Sequence, residues 1–225
     1  SRRTFLAQGY PGEQFICIHN GIEAPRRCAP EEAATVRQVL GIGSEDPMLL
    51  TVARLTEQKG HDVLLRAAPA VLRHQPRACF ALVGQGPERE RLEALARELG
   101  VQGAVRFLGQ RRDVPALMGA ADLFVLPSRF EGHPLVALEA LAVGLPVIGT
   151  RVCGVDEAVI HGETGVLVQP ESPNELASAI LELLPDQDRR RQLGAAGCEL
   201  VRTRFSARHM AQKTMGLYTA LLEAA

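Results

Sequence analysis

The chain has 225 residues, 46% of them hydrophobic and 23% charged, with a formal net charge of −1. At that length folding buries roughly 70% of the unfolded surface, so the chain needs no disulfide or metal to hold it together. Near-neutral charge argues against nucleic acid or an anionic membrane surface as the main partner. The 25 basic residues include only two lysines, Lys59 and Lys213. A lysine kept where arginine is the rule marks a place that needs a compact point charge. Cys17, Cys28, Cys79, Cys153 and Cys198 are odd in number and without metal-ligand spacing, and read as reduced thiols in mostly apolar surroundings. No signal-peptide pattern opens the chain and no apolar run reaches the roughly 18 residues of a membrane span, so a cytoplasmic location is expected. The opening on Ser1, with no start pattern, leads us to expect a fragment of a longer protein.

Residues 1 to 9 read as the end of a helix stopped by Gly9 and Pro11-Gly12. Phe15 to His19 reads as a short strand, and Asn20-Gly21 as a turn. Glu23 to Asp46, with a helical piece near Glu31 to Leu40, reads as a linker. From there apolar runs alternate with helical patterns, which predicts an α/β, Rossmann-like, doubly wound parallel sheet. Strands are expected at Met48 to Arg54, Ala78 to Val83, Val105 to Leu108, Leu123 to Leu126, Pro146 to Ile148 and Gly165 to Val168. Helices are expected at His61 to His74, Pro87 to Leu99, Val114 to Ala121, Pro134 to Val143 and Pro173 to Leu184, and again over about 186 to 203 and 206 to 224. The domain reading is therefore 1–46 as hinge and linker, 47–185 as the sheet domain, and 186–225 as C-terminal helices. Ligands of such sheets bind beyond the carboxyl ends of the strands, so the loops after Val52, Val83, Leu108 and Leu126 should converge on one site.

The stretch Phe130 to Thr150 is organised around a helix marked at both ends, by Pro134 and by Gly144 with Pro146. Leu135, Val136, Ala137, Leu138, Ala140, Leu141, Ala142 and Val143 leave it no polar face, so burial all round is expected, with Glu139 its only polar residue. An unpartnered buried carboxylate loses several kcal/mol of solvation, so Glu139 should be neutral, paired or bound to a ligand. Glu131, eight residues earlier, precedes the helix beside Gly132, where a ligand can approach the backbone closely. The free amides of Leu135 and Val136 form an anion site reinforced by the helix dipole. An acid aimed at hydroxyls beside amides aimed at a phosphate points to a sugar nucleotide.

Glu131-Gly132-His133-Pro134, the second acid Glu139, and the Gly144-Leu145-Pro146-Val147 ending resemble the donor-binding, C-terminal half of retaining GT-B fold glycosyltransferases, especially glycosyltransferase family 4. The resemblance covers essentially the whole chain but only that half of the family fold. It extends to Asn20-Gly21 at the interdomain hinge, with His19 where a Pro is usual, and to a last helix from Phe205-Ser206 that crosses back to the first domain. It implies that Arg54 and Lys59, in Val52-Ala53-Arg54-Leu55 and Glu57-Gln58-Lys59-Gly60, bind the diphosphate and neutralise the leaving group. It further implies that Gly84 and Gly86 line the donor site, that the Arg111 loop meets the base, that Glu139 accepts from the ribose, and that Glu131 is an essential residue facing the sugar. His133 is a candidate sugar contact.

Rival motifs fare less well. Gly84-Gln85-Gly86-Pro87 follows a strand, but a dinucleotide fingerprint needs a third glycine where Arg89 stands. Asp186-Gln187-Asp188 has the form of a divalent-metal pair, yet its place before a helix and Arg189 reads as an N-cap. Asp113 reads as another helix cap, His19 as structural, and His61, His74, His161 and His209 as surface or packing residues. No hydrolase elbow, Walker loop or zinc-spaced His pair is present. The resemblance therefore implies a metal-independent glycosyltransferase without a cofactor, whose substrate is a nucleoside diphosphate sugar. Its acceptor, a glycan, lipid or small molecule, would be met by a missing N-terminal domain, with room for peripheral membrane association of the longer enzyme and no nucleic acid partner. A sugar-nucleotide epimerase of the same fold and a noncatalytic nucleotide-sugar module are the alternatives.

Overall fold

The computed structural model describes Gly9 and residues 15–26 and 28–223. Its centre is one parallel sheet of β1 Met48–Val52, β2 Cys79–Val83, β3 Val105–Gly109, β4 Leu123–Leu126, β5 Val147–Thr150 and β6 Gly165–Val168, in the order β3-β2-β1-β4-β5-β6. The chain starts in the middle at β1, winds out to β3, returns to lay β4 beside β1, and winds to the other edge. The switch point thus falls between β1 and β4, and the carboxyl ends of these strands are where a ligand site of such a sheet is expected.

The strands are apolar at nearly every position because both faces are covered. Leu49, Phe80, Leu82, Leu123 and Val125 pack under α2 His61–His74, α3 Arg89–Glu98 and α7 Pro173–Leu183. Met48, Leu50, Ala81, Val83, Phe124 and Leu126 pack under α4 Val114–Ala120, α5 Leu135–Ala142 and α8 Gln187–Arg204. The linker helix α1 Pro30–Leu40 lies on this second face, where Ala33, Val36 and Leu40 pack against the core. A short α6, Val155–Ala158, and a 3-10 turn, Glu57–Lys59, are elements that the sequence reading did not identify. Helix α9, Ala207–Glu223, ends the described chain with no buried residue.

Several expectations need correction. The helix end read over residues 1 to 9 lies outside the described residues except for Gly9. Phe15 to His19 forms no strand. That segment runs along the α8–α9 junction instead, where the Ile22 amide donates to the Phe205 carbonyl at 2.8 Å and the Ala207 amide donates to Ile22 at 2.9 Å. Asn20-Gly21 is not a turn; Gly21 is needed because a Cβ there would collide with the Ser206 backbone. Helix α5 is not buried all round: Leu135 is 42% exposed, and Val136 and Glu139 are half-buried along an open cleft. Cys17 and Cys153 are exposed rather than set in apolar surroundings.

Candidate functional site

The loops after β1, β2, β3 and β4 do converge. The Ala53 amide donates to Val83 and the Leu55 amide to Gln85, while the Gly84 amide donates to Gly109, so three loops are tied by backbone alone. Gly84 and Gly86 serve this junction: a Cβ on either would strike the carbonyl of Ala53 or Leu55. The close approach their sequence predicts is therefore to the chain's own backbone. On the other side of the crevice the Arg129 amide donates to Gln58 at 2.8 Å, and Gln58 Nε2 donates to the Phe130 carbonyl at 3.0 Å. Arg129 also grips Asp62 through two 2.9 Å bonds and reaches Glu171. Burial works against the Asp62 charge, but the Arg129 guanidinium outweighs it and holds the carboxyl below its ordinary range.

This stitching brings Lys59 onto Glu131. Lys59 Nζ lies 2.7 Å from Glu131 Oε1, and the Ser128 hydroxyl donates to the same oxygen at 2.7 Å. The Glu131 side chain is 6% exposed and that of Lys59 16%. Arg54, by contrast, is exposed and its guanidinium has no partner among the described residues, while its carbonyl accepts from the buried His61 ring at 3.1 Å. His61 is thus a packing residue that steadies the Arg54 loop, and burial pushes its ring below the ordinary imidazole value.

Beside this pair opens a cleft of about 510 Å³ lined by Val52, Val114, Pro115, Met118, Leu135, Val136 and Glu139, with Pro25 of the linker on its far side. Its walls are apolar except for Glu139, whose carboxyl is pushed above its usual value by burial. The amides of Leu135 and Val136, at the start of α5, have no acceptor among the described residues, which leaves an N-terminal anion site. Gly132 has open space where a Cβ would be.

Two predicted contacts are engaged by partners within the chain. Arg111 is closed in a two-bond pair with Asp113, at 2.8 and 2.6 Å, which holds the Asp113 carboxyl low. Asp113 stands at the N-cap of α4 but makes no capping bond, because its carboxylate is taken by Arg111. His133 packs edge-on against His19 and Phe205, with centroids 5.3 and 5.4 Å away, rather than into the cleft. Burial and the neighbouring His19 ring push its imidazole below the ordinary value. His19 is paired with Glu157 at 2.9 Å, a structural role. Asp186 caps α8 as expected, accepting from the Arg189 amide at 2.8 Å. Among the described residues no group of three or more His, Cys, Asp or Glu could hold a metal ion. Ser128, Gln58 and Arg129 are the site residues that sequence reasoning missed. Their signals were positional only: Ser128 and Arg129 stand just past the carboxyl end of a switch-point strand, and Gln58 lies beside Lys59 in the loop after the other.

The fold is that of the Rossmann-like half of a GT-B glycosyltransferase. Residues 32–199 match the family described as glycosyl transferases group 1, and the chain belongs to that family. It is 36% identical over 211 residues to a GDP-mannose-dependent alpha-(1-6)-phosphatidylinositol monomannoside mannosyltransferase of Mycobacterium tuberculosis, covering 89% of this chain and 54% of the relative. It is 37% identical over 229 residues to a D-inositol 3-phosphate glycosyltransferase of Corynebacterium urealyticum, covering 96% and 54%. The crystal structure of Anabaena HepE in complex with UDP and glucose superposes with a TM-score of 0.89 at 27% identity, covering 98% of this chain and 61% of that one. The chain spans about half the length of the curated relatives it matches. No helix among the described residues is long and apolar enough to cross a membrane.

Proposed function

We propose that the protein to which this chain belongs is a retaining glycosyltransferase, moving a sugar from a nucleoside diphosphate sugar to an acceptor hydroxyl, and that this chain binds the donor. The observation that carries the reading is the meeting of Lys59 with Glu131 beside the free amides of α5 and the Glu139 cleft. One Lys59 N–H donates to Glu131, and the ammonium has two other N–H groups for a phosphate. Arg54, exposed and without a partner among the described residues, supplies a second cation, and the Leu135 and Val136 amides supply donors. Together they take up leaving-group charge without a metal. The nucleoside would occupy the apolar cleft with its ribose hydroxyls on Glu139. The acceptor, whether glycan, lipid or small molecule, would be met by the part of the longer protein outside this chain, so the isolated chain binds donor yet transfers slowly or not at all.

Calorimetric titration with UDP, GDP, ADP and NAD tests the reading. One nucleoside diphosphate should bind, unaffected by a chelator, and at least about tenfold more weakly to Glu139→Ala. Binding of none, or of NAD alone, would sink it.

Glu139 also predicts a pH signature. Ribose hydroxyls donate to the ionised carboxylate, so affinity should be full above the raised value and fall as pH drops through it. Stability runs the other way. Because the folded value is raised, the contribution of Glu139 is present below the unfolded value and lost as pH rises through the folded one. Opposite slopes of affinity and unfolding midpoint across one window, both flattened in Glu139→Gln, are the expected result.

A further inference from the structure

The Glu131 carboxylate is held asymmetrically. Lys59 Nζ and Ser128 Oγ both bond Oε1, each at 2.7 Å, and Oε2 has no partner among the described residues. A carboxylate normally spreads its bonds over two oxygens, each with two lone pairs, so the concentration on Oε1 leaves Oε2 as the acceptor available to a ligand. Ser128 is fully buried, and its own carbonyl accepts from the hydroxyl of Thr150, the equally buried last residue of β5. A chain of bonds therefore runs from the sheet through Thr150 and Ser128 to one oxygen of Glu131. Lys59 stands on a loop after β1 and has a phosphate to serve as well. Ser128 is bonded back to the sheet and has no second task.

We infer that Ser128 is a positioning residue of the donor site, which fixes Glu131 Oε1 from behind so that Oε2 faces a hydroxyl of the bound sugar. This rests on the donor-binding reading above. It adds a claim that reading does not contain: the serine hydroxyl tunes recognition of the sugar and not of the diphosphate. A purely structural serine would act on both ligands alike or on folding alone. The two roles separate when a nucleotide is compared with its sugar conjugate.

The probes are UDP against UDP-glucose and GDP against GDP-mannose, titrated into the 225-residue chain, with the pair that binds taken forward. Ser128→Ala should weaken the nucleotide sugar about tenfold, the size of one hydrogen bond lost to a charged group, and change the bare nucleotide less than about twofold. Glu131→Ala should weaken the nucleotide sugar at least as much, and the double variant should lose no more than Glu131→Ala alone, since Ser128 acts only through that carboxylate. Thr150→Val, which keeps the shape and removes the bond to Ser128, should show a smaller loss confined to the sugar conjugate. It serves if Ser128→Ala does not fold. Equal loss of both ligands, loss of neither, or additive losses in the double variant would overturn the inference while leaving donor binding intact. Wild type binding nucleotide and conjugate equally would overturn it too. A wild-type chain that binds no nucleotide at all would instead bring down the donor-binding reading, and the inference with it.

Discussion

Lys59→Ala is expected to lose stability and nucleotide affinity together. The Glu131 carboxylate is 6% exposed and Lys59 is its one charged partner among the described residues, so the variant leaves a buried charge with only the Ser128 hydroxyl. Removing one partner of such a pair costs on the order of 3 kcal/mol, because the remaining charge keeps its desolvation penalty and loses its counterion. The diphosphate loses a charge-assisted bond besides, about tenfold to hundredfold in affinity. Denaturant unfolding and calorimetry at a temperature well below the transition measure the two effects separately. A double variant, Lys59→Met with Glu131→Gln, distinguishes them further: it removes the orphaned charge and should recover most of the stability, while affinity stays low. If affinity recovered with stability, Lys59 would be only a structural counterion and its role toward phosphate would fall. Lys59→Arg is an equally pointed control, since a planar fork in place of a point charge should not restore the single short contact to Oε1.

The sequence carried the fold far because the strands are covered on both faces. Near-continuous apolar runs such as Met48 to Val52 and Leu123 to Leu126 are too short for a core helix, and their alternation with amphipathic helical patterns points to a parallel sheet. Helix α2 was legible to both ends, His61 and His74, and the structure shows Gly60 in a left-handed conformation at its start. What failed to read was whatever depends on a distant partner. Phe15 to His19 has the composition of a strand, but no sheet edge takes it, and Ile22 pairs with Ser206 far along the chain. Helix α5 looked buried all round because its exposed residues are as apolar as its buried ones; Leu135 and Val136 both wall a cleft, though Val136 also packs against the core. Asp113 looked like a cap because local spacing cannot show that Arg111 takes both of its oxygens. In the site, the acids and cations could be singled out by type and rarity. Their mutual geometry could not, since Lys59 and Glu131 are 72 positions apart, and the Ser128 hydroxyl behind them belongs to a residue type that occurs everywhere.

Gly84→Ala should be the most damaging single substitution at the rim of the crevice, although it touches no charged residue. The glycine sits at φ +139°, where residues with a Cβ are strained, and a methyl group there would fall within contact distance of the Ala53 carbonyl oxygen. That oxygen is backbone and cannot rotate away. Relief requires parting the loops after β1 and β2, which breaks the bonds from the Ala53 amide to Val83 and from Leu55 to Gln85. Backbone strain and overpacking each cost about 1–3 kcal/mol, so a loss of roughly 4 kcal/mol is expected. For a chain of this size that lowers the unfolding midpoint by on the order of 10 °C. Arg54 moves with its loop, so nucleotide affinity should fall even where the variant remains folded. Gly132→Ala is the opposite case. Its Cβ would enter open space at a backbone angle that alanine tolerates, so stability should stay within about 0.5 kcal/mol of wild type. If the sugar of the donor approaches that backbone, the same methyl group should nonetheless lower affinity for the nucleotide sugar. Two glycine-to-alanine changes a few ångströms of chain from the same site would then separate a glycine kept for folding from one kept for a ligand. Equal thermal stability of Gly84→Ala and wild type would show that the crevice is not built on the loop junction described above.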